Sequence, residues 1–411
     1  MDTLGPLQFG EPDEPVEMPV LDGRFKANPY PFYERFGTRG RSVVPVRLPT
    51  GVEAWLVIGY AEARQLLKDP RLSKGAPHAT ARSNPSGTAS HPLFRHLLTL
   101  DPPDHTKLRT IIAREFSIRR ISLLRPGIEE VVNRLLDGIA IQDTADLVQD
   151  FALPLTLTVI CNLIGIPSSD IALVQDWSAR LAAADLDDVQ RVPLIAEEIH
   201  GYLLNLAQQK RISGDDSLYS ALLAAHDRGE LTETELTAMV FLLMSAGHET
   251  TTSLIGNGVL ALLREPSAWT RLCANRGVAV GAVEEVLRFE SPLEVSTVRY
   301  ATTEIRIGDA LIRPGDRVFV GLAAANRNPG HFDRADEFDI QRDPPADHLA
   351  FGHGVHFCIG AALARAEGEI ALAELARRFP NMVVNGDVHE LEWIPGLILR
   401  GLRSLPVRFN P

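Results

Sequence analysis

The chain has 411 residues, of which 45% are hydrophobic and 23% charged, a composition typical of a globular protein with a large core. Acidic residues outnumber basic ones 53 to 41, and the net charge of −12 argues against general nucleic-acid binding. Three cysteines cannot form a disulfide framework, and no signal peptide or membrane-spanning run is predicted, so we expect a cytoplasmic protein that does not cross a membrane.

In the first ninety residues the sequence pattern predicts both helices and strands. Residues 1–27 are acidic and rich in proline and glycine, and are expected to run over the surface. Residues 75–92 are rich in serine, proline, glycine and alanine, and so long a stretch is expected to form a lid or binding loop. Between them the pattern predicts a helix, a hairpin and a second helix, at 30–38, at 43–48 with 52–59, and at 61–69.

The remaining chain is mostly helical in pattern. Helical spacing dominates from 103 to 290, and residues 295–320 alternate as short antiparallel strands. Loops follow over 325–357, a strong helix over 360–379, and short strands in the last thirty residues. The sequence therefore predicts a single mainly α domain with a small β part.

One long helix is predicted over residues 232–264. Thr232 and Glu235 form a capping-box signature at its start, and Pro266 marks its end. At about 1.5 Å per residue it would be roughly 50 Å long. The segment is apolar nearly all round, so we expect it to be buried.

Polar residues interrupt the middle of this apolar helix, in the run Ala246-Gly247-His248-Glu249-Thr250 and the hydroxyl residues after it. A buried carboxylate is costly unless it is used, and hydroxyls can bond back to carbonyls one turn earlier and open the helix locally. Such an opening would make a polar notch for water or a small polar ligand. The alternative is a glycine that serves helix packing, with Glu249 reaching solvent.

Cys358 lies in a glycine-rich loop just before a helix. The loop reads Phe351-Gly352-His353-Gly354-Val355-His356-Phe357-Cys358-Ile359-Gly360. A helix N-terminus favours the thiolate, which is a good metal ligand or nucleophile. No second cysteine is near, the spacing of the two histidines matches no usual zinc finger, and no general base is evident. A lone thiolate in such a loop suits the single axial ligand of a haem, while a buried inert cysteine is the alternative.

These residues resemble the cysteine-ligand loop of the cytochrome P-450 family, whose pattern is F-G-x-G-x-H-x-C-x-G. Every fixed position is matched between Phe351 and Gly360. Three further motifs of the family lie in the family's order, so that the resemblance spans about residues 28–408. They are the oxygen-groove motif at 246–250, the E-x-x-R motif at 285–288 with Arg342, and the H-x-x-x-R element at 105–109.

The resemblance implies a single-domain cytochrome P-450 fold over residues 28–411, with haem b between the long central helix and the Cys-loop helix. Cys358 would be the iron ligand, and Ala246, Gly247, Phe351 and Gly352 would line the haem site. His105, Arg109, Arg299 and His356 would bind the haem propionates. Thr250 and Glu249 would deliver protons when dioxygen is activated, and Glu285, Arg288 and Arg342 would form a structural network behind the Cys loop.

By the same resemblance, the substrate would be a sizeable apolar molecule such as a macrolide, another polyketide or a sterol. The lid at 75–92 and a connector at 181–193 would roof its pocket, with walls from Leu293, Glu294, Val295, Leu397 and Ile398. Glu294 would either receive a cationic group of the substrate or lie at a strand edge in water.

The implied reaction is hydroxylation of a C–H bond with dioxygen as co-substrate. The alternatives are a haem-thiolate oxidase or peroxygenase catalysing coupling or desaturation, and a haem-binding sensor without turnover. Because the chain carries no flavin domain or iron–sulfur cysteine set, electrons would come from a ferredoxin and an NAD(P)H-dependent ferredoxin reductase. Basic residues that could dock the acidic ferredoxin are Arg109, Arg114, Arg119 and Arg120.

Overall fold

The computed structural model describes residues 14–37, 40–75, 91–187, 191–343 and 347–410. Helices dominate these residues, as the sequence predicts. They are α1 Gly23–Ala27, α2 Tyr30–Gly37, α3 Tyr60–Leu67, α4 Asp104–Ile112, α5 Ile118–Ala140, α6 Leu153–Ile164, α7 Ile171–Asp187, α8 Val192–Ser213, α9 Leu218–Asp227, α10 Glu233–Ala246, α11 Glu249–Arg264, α12 Pro266–Ala274, α13 Ala279–Phe289, α14 Leu322–Asn326 and α15 Ala361–Arg378.

The strands are short, and only one of those described, β5, lies within the long helical part of the chain. They are β1 Val16–Glu17, β2 Val43–Arg47, β3 Glu53–Val57, β4 Leu72–Ser73, β5 Thr144–Asp146, β6 Arg299–Ala301, β7 Ile305–Ile307, β8 Ala310–Ile312, β9 Arg317–Val320, β10 Val383–Val384 and β11 Pro406–Arg408. In the described residues they form a six-stranded sheet of order β1-β2-β3-β9-β6-β4, a three-stranded sheet β10-β11-β5 and the hairpin β7-β8. The predicted hairpin at 43–59 and the predicted strands at 295–320 are confirmed.

The N-terminal residues are part of the core. β1 pairs with β2 in parallel, and Met18, Val20 and Phe25 are buried against the aromatic side chains of α2. The prediction that residues 1–27 run over the surface is therefore wrong from Val16 onward, and residues 1–13 lie outside the described part. Apolar residues separated by prolines show no helical or strand period, which is why the pattern hid their burial.

The predicted helix at 232–264 is two helices, α10 and α11, which meet at Gly247 and His248. The capping box of Thr232 and Glu235 is present at its start. At the break, the Thr250 hydroxyl donates to the Ala246 carbonyl at 3.3 Å. The local opening that we expected from back-bonded hydroxyls is thus present, and it places a polar notch in an apolar helix pair.

Residues 147–164 form a π-helical turn followed by α6, and this stretch is long and apolar enough to cross a membrane by length and composition alone. Two thirds of it, 67%, is buried inside the protein. It packs against α5, α10 and α11, which is the environment of a core helix.

Two segments predicted to roof a pocket lie partly outside the described residues. Residues 76–90 of the predicted lid lie outside the described part of the chain. In the predicted connector at 181–193, α7 continues to Asp187 and α8 begins at Val192.

Candidate active site

The Cys loop is held in one conformation by its glycines. Gly352 and Gly354 have φ of +72° and +78°, a region that residues with a Cβ rarely adopt. A Cβ on Gly354 would also lie about 3.1 Å from the Leu67 carbonyl at the end of α3. Within the loop the Cys358 amide donates to the Phe351 carbonyl at 2.9 Å. The loop is therefore pinned against α3, with Cys358 three residues ahead of α15.

The electrostatics of Cys358 differ from what the helix start alone suggests. Burial raises the pKa of its thiol, although the Gly360 amide and the guanidinium groups of Arg109 and Arg365 act in the opposite direction. The Gly360 amide at the helix start favours the thiolate, as expected, but desolvation outweighs it and the net shift of the pKa is upward. A bound metal cation would reverse the balance and deprotonate the sulfur.

Buried cations gather on one side of the Cys loop. Burial lowers the pKa of Arg299 to about 10, and burial together with the charge of Lys74 lowers that of His356 to about 3. The pKa of Lys74 lies well below its ordinary value, because of burial and the nearby Arg299. Asp101 opposes these shifts. Burial and mutual repulsion disfavour the protonated forms of these basic groups, and an anionic ligand such as the carboxylates of a prosthetic group would stabilise them.

Helix α4 adds two further groups to this cationic cluster. His105 and Arg109 are four residues apart and so share one face of the helix. The His105 ring lies 4.4 Å, centroid to centroid, from that of His356. Its Nδ1 atom is buried without a hydrogen-bond partner in the described residues. The four residues predicted to bind propionates are thus brought together beside Cys358, and a thiol flanked by such a pocket fits an iron porphyrin.

Lys74 is a member of this cluster that sequence reasoning missed. Its ammonium donates to the Thr297 hydroxyl, to the Thr297 carbonyl at 3.2 Å and to the Val298 carbonyl at 3.0 Å. It thereby fixes the backbone just before Arg299. No signal marks it in the sequence, because it follows a strand of two residues that carries no readable period.

At the helix break the hydrogen bond from the Thr250 hydroxyl to the Ala246 carbonyl holds these two residues together, and Glu249 directly precedes Thr250 at the start of α11. Burial raises the pKa of Glu249, and among the described residues no donor is seen bound to its carboxylate. The Cα of Gly247 faces Ile160 of α6. A Cβ there would lie 2.5 Å from the Leu243 carbonyl and 2.6 Å from Ile160 of α6, so this glycine serves the packing of α10 on α6 rather than making room for a ligand.

The predicted network behind the Cys loop is present. Arg288 is completely buried and donates to both carboxylate oxygens of Glu285, at 2.8 and 2.7 Å. Arg342 donates to the same carboxylate at 3.1 Å from Nε. Arg288 also donates to the carbonyls of Asn326, Ala335 and Glu337, which ties α13 to the loop that leads to Cys358.

A second ion pair, which the sequence did not single out, lies closer to the sulfur. Glu284 accepts two hydrogen bonds from Arg365, at 2.5 and 2.9 Å, and lies 3.2 Å from His348 Nε2. The guanidinium of Arg365 lies over the Phe351 ring, 4.6 Å from its centroid. Because the Ala350 amide donates to His348 Nδ1, the proton of this ring lies on Nε2 and is directed at Glu284.

The predicted substrate wall is partly wrong. Glu294 is completely buried in an ion pair with Lys26, 2.5 Å away, so it neither faces a pocket nor lies in water. Val295 is completely buried in the core beside the aromatic residues of α2. Leu397 packs against the same cluster, whereas Leu293 is half-buried and Ile398 is 36% exposed.

The predicted basic patch divides into exposed and engaged residues. Arg114 and Arg119 are exposed. Arg120 pairs with Glu115 and donates to the Asp216 carbonyl at 2.9 Å, and Arg109 is half-buried beside Cys358. Two arginines therefore remain at the surface between α4 and the start of α5.

Comparison with known proteins gives a consistent result. A cytochrome P450 family model matches residues 187–391. The chain is 42% identical to "Cytochrome P450 monooxygenase PikC" of Streptomyces venezuelae, over 96% of this chain and 94% of that protein. It is 38% identical to "Vitamin D(3) 25-hydroxylase" of Pseudonocardia autotrophica, over 95% and 96%. The solved structure of tirandamycin C-bound P450 monooxygenase TamI superposes with a TM-score of 0.88 at 40% identity, covering 96% of this chain and all of that one.

Proposed function

Because the chain belongs to the cytochrome P450 family and is a monooxygenase of that family, we propose that it hydroxylates a sizeable apolar secondary metabolite of the polyketide or macrolide class, in the cytoplasm. The relative that binds tirandamycin C supports this class, and the vitamin D relative supports a sterol as the second candidate. The observation that carries the proposal is the gathering of His105, Arg109, Arg299 and His356 beside the lone Cys358 thiol. The polar break between α10 and α11 accompanies it.

Cys358 holds the iron of haem b in this proposal. His105, Arg109, Arg299 and His356 receive its propionates, because arginine guanidinium groups and histidine N–H groups donate hydrogen bonds to carboxylates. Phe351 and Gly352 shape the loop around the sulfur, and Ala246 lies on the opposite helix face. When bound, the haem supplies the activation of dioxygen and the insertion of one oxygen atom into a C–H bond, the other atom leaving as water.

Glu249 and Thr250 handle protons in this proposal. Burial raises the pKa of the Glu249 carboxyl, which is the direction that suits a group that takes up and passes on protons. The Thr250 hydroxyl, now bonded to the Ala246 carbonyl, can donate in turn toward the pocket. Together they lead protons along the helix break while the apolar surroundings keep other water out.

Substrate contacts come from Leu293 and Ile398 in this proposal, since both keep accessible apolar surface. Such surface favours an apolar substrate through burial of hydrocarbon. Two electrons for each turnover come from a ferredoxin and an NAD(P)H-dependent ferredoxin reductase. The exposed Arg114 and Arg119 offer an acidic ferredoxin a docking surface on the side of the chain that carries Arg109.

The test is spectroscopic and then chemical. The reduced protein with carbon monoxide is expected to show the red-shifted Soret band of thiolate ligation, and a library of macrolides and sterols is screened for a substrate-induced spin shift. Hits are then turned over with ferredoxin, reductase and NADPH. A hydroxylated product with incorporated label from ¹⁸O₂ supports the proposal, whereas product formed with peroxide alone, and none with dioxygen, favours a peroxygenase.

A further inference from the structure

The N-terminal helix α1 buries a charged side chain that the proposed reaction does not use. Lys26 and Glu294 are both completely buried, and the Lys26 ammonium lies 2.5 Å from Glu294 Oε2. Tyr33 donates to the other carboxylate oxygen at 2.6 Å. A fully buried ion pair adds little net stability, because the desolvation of both charges offsets their attraction. Stability alone therefore does not account for its placement.

The same lysine also holds the C-terminal segment. Its ammonium donates to the carbonyls of Gly396 and Leu399, both at 2.9 Å, so that all three of its N–H donors are used. The Glu294 amide in turn donates to the Ile398 carbonyl at 2.8 Å. One side chain thus joins two segments that are a hundred residues apart in sequence.

Arg400 fastens this junction from the other side. It forms a buried ion pair with Glu290 and donates to the carbonyls of Lys26 and Ala27, at 3.1 and 3.0 Å. Its own amide donates to the Pro292 carbonyl at 2.7 Å. The position of α1 is consequently fixed relative to both segments by charged groups with specific geometry, in addition to the apolar contacts of Phe25 with Val295 and its cluster.

The ion pair is adjacent in sequence to apolar side chains that keep exposed surface. Leu293 packs against a different apolar cluster from the one that contains Phe25 and Val295, so it lies on another side of this segment from α1. Leu293 is bridged to Leu399 in an antiparallel pair, next to the partly exposed Ile398. A displacement of the Lys26–Glu294 pair would therefore move both Leu293 and Ile398.

We propose that Lys26 is a positioning residue that sets the shape of the substrate pocket, by fixing Leu293 and Ile398 through Glu294 and the 396–399 carbonyls. This rests on the proposed function, which places those two side chains at the pocket. Substrate selectivity is then determined in part by a residue of the N-terminal helix that never touches the substrate.

The test compares two ligands of the haem iron that differ only in size, imidazole and 4-phenylimidazole, by optical titration of the holoprotein. In Lys26→Met the ratio of their dissociation constants is expected to change by about fivefold, equivalent to about 1 kcal/mol, because only the larger ligand reaches the wall. Lys210→Met is the matched control, since Lys210 of α8 is another buried lysine whose ammonium pairs with a carboxylate, that of Asp215.

The double variant Lys26→Met/Glu294→Gln separates positioning from stability. Removing both charges avoids leaving one unpaired, so this protein is expected to retain its fold and haem even if the single variant does not. The altered ratio is expected to persist in it. A ratio equal to that of the wild type in the double variant, with full haem content, would overturn the inference. Failure of imidazole itself to bind the wild type would instead overturn the proposed haem function and remove the premise.

Discussion

Replacing Arg288 by methionine is the most direct test of the network that supports the Cys loop. Arg288 is completely buried and makes five hydrogen bonds, two to Glu285 and three to backbone carbonyls. Methionine keeps much of the volume but removes the charge and every donor. Glu285 keeps Arg342 and the Asp339 amide, while the three carbonyls lose the arginine as their partner.

The cost follows from the burial of these groups. Breaking a buried ion pair from one side typically costs about 3–5 kcal/mol, because a desolvated charge loses its partner. That amount is a large part of the total stability of a protein, about 5–15 kcal/mol. We therefore expect Arg288→Met to lower the free energy of unfolding by about 4 kcal/mol and to reduce haem retention, since Arg288 anchors the loop that runs into residues 347–358.

The measurement is urea unfolding followed by far-ultraviolet circular dichroism, together with the haem-to-protein ratio after gel filtration. Arg211→Met is the control, because it breaks a pair with Asp227 in which both side chains are about half exposed. Exposed pairs contribute little. The reasoning is refuted if Arg288→Met unfolds at the wild-type urea concentration and keeps its haem, or if the control is as destabilised as Arg288→Met.

Further substitutions test the other groups of the site. Cys358→Ser is expected to abolish the red-shifted Soret band of the ferrous carbon monoxide adduct, and retention of that band would exclude Cys358 as the ligand. Thr250→Ala is expected to keep the rate of NADPH consumption, while the yield of hydroxylated product falls and the yield of hydrogen peroxide rises. Thr110→Ala, which removes a similarly back-bonded hydroxyl on α4, is expected to leave the ratio of product to NADPH consumed unchanged. Burial raises the pKa of Glu249 above its value in the unfolded chain. As pH rises above about 4.5 the unfolded chain therefore loses this proton first, and the stability of the folded protein falls. Glu249→Gln is expected to gain stability relative to the wild type between pH 4.5 and 7, as measured by urea unfolding. The pKa of Glu284 is shifted in the opposite direction. Burial raises it, but hydrogen bonds from His348 and Arg365 outweigh burial and lower this pKa to about 2. Its contribution is present above about pH 4.5 and lost toward pH 2, so Glu284→Gln should be destabilised at pH 6 and approach the wild type at pH 3, and a constant difference over that range would contradict the ion pair.

The local sequence was sufficient for elements whose signals are themselves local. The capping box at Thr232 and the hairpin around Gly51 depend on residues within a few positions of each other, and both are present. The back-bonding of Thr250 involves a carbonyl only four residues away, and the opening of the central helix was expected for that reason. The position of Cys358 just before α15 was likewise predicted from the ten residues of the glycine-rich loop.

Tertiary structure decided where buried charges find their partners. The family resemblance implied that Glu294 lines the pocket, yet its partner Lys26 lies 268 positions away, in a segment expected at the surface. Lys74 meets Thr297 across a gap of 223 residues, and Gly247 is explained by Ile160 of another helix. A buried charge is stabilised only by the group that folding brings against it, and the spacing of residues along one segment carries no information about a partner contributed by another.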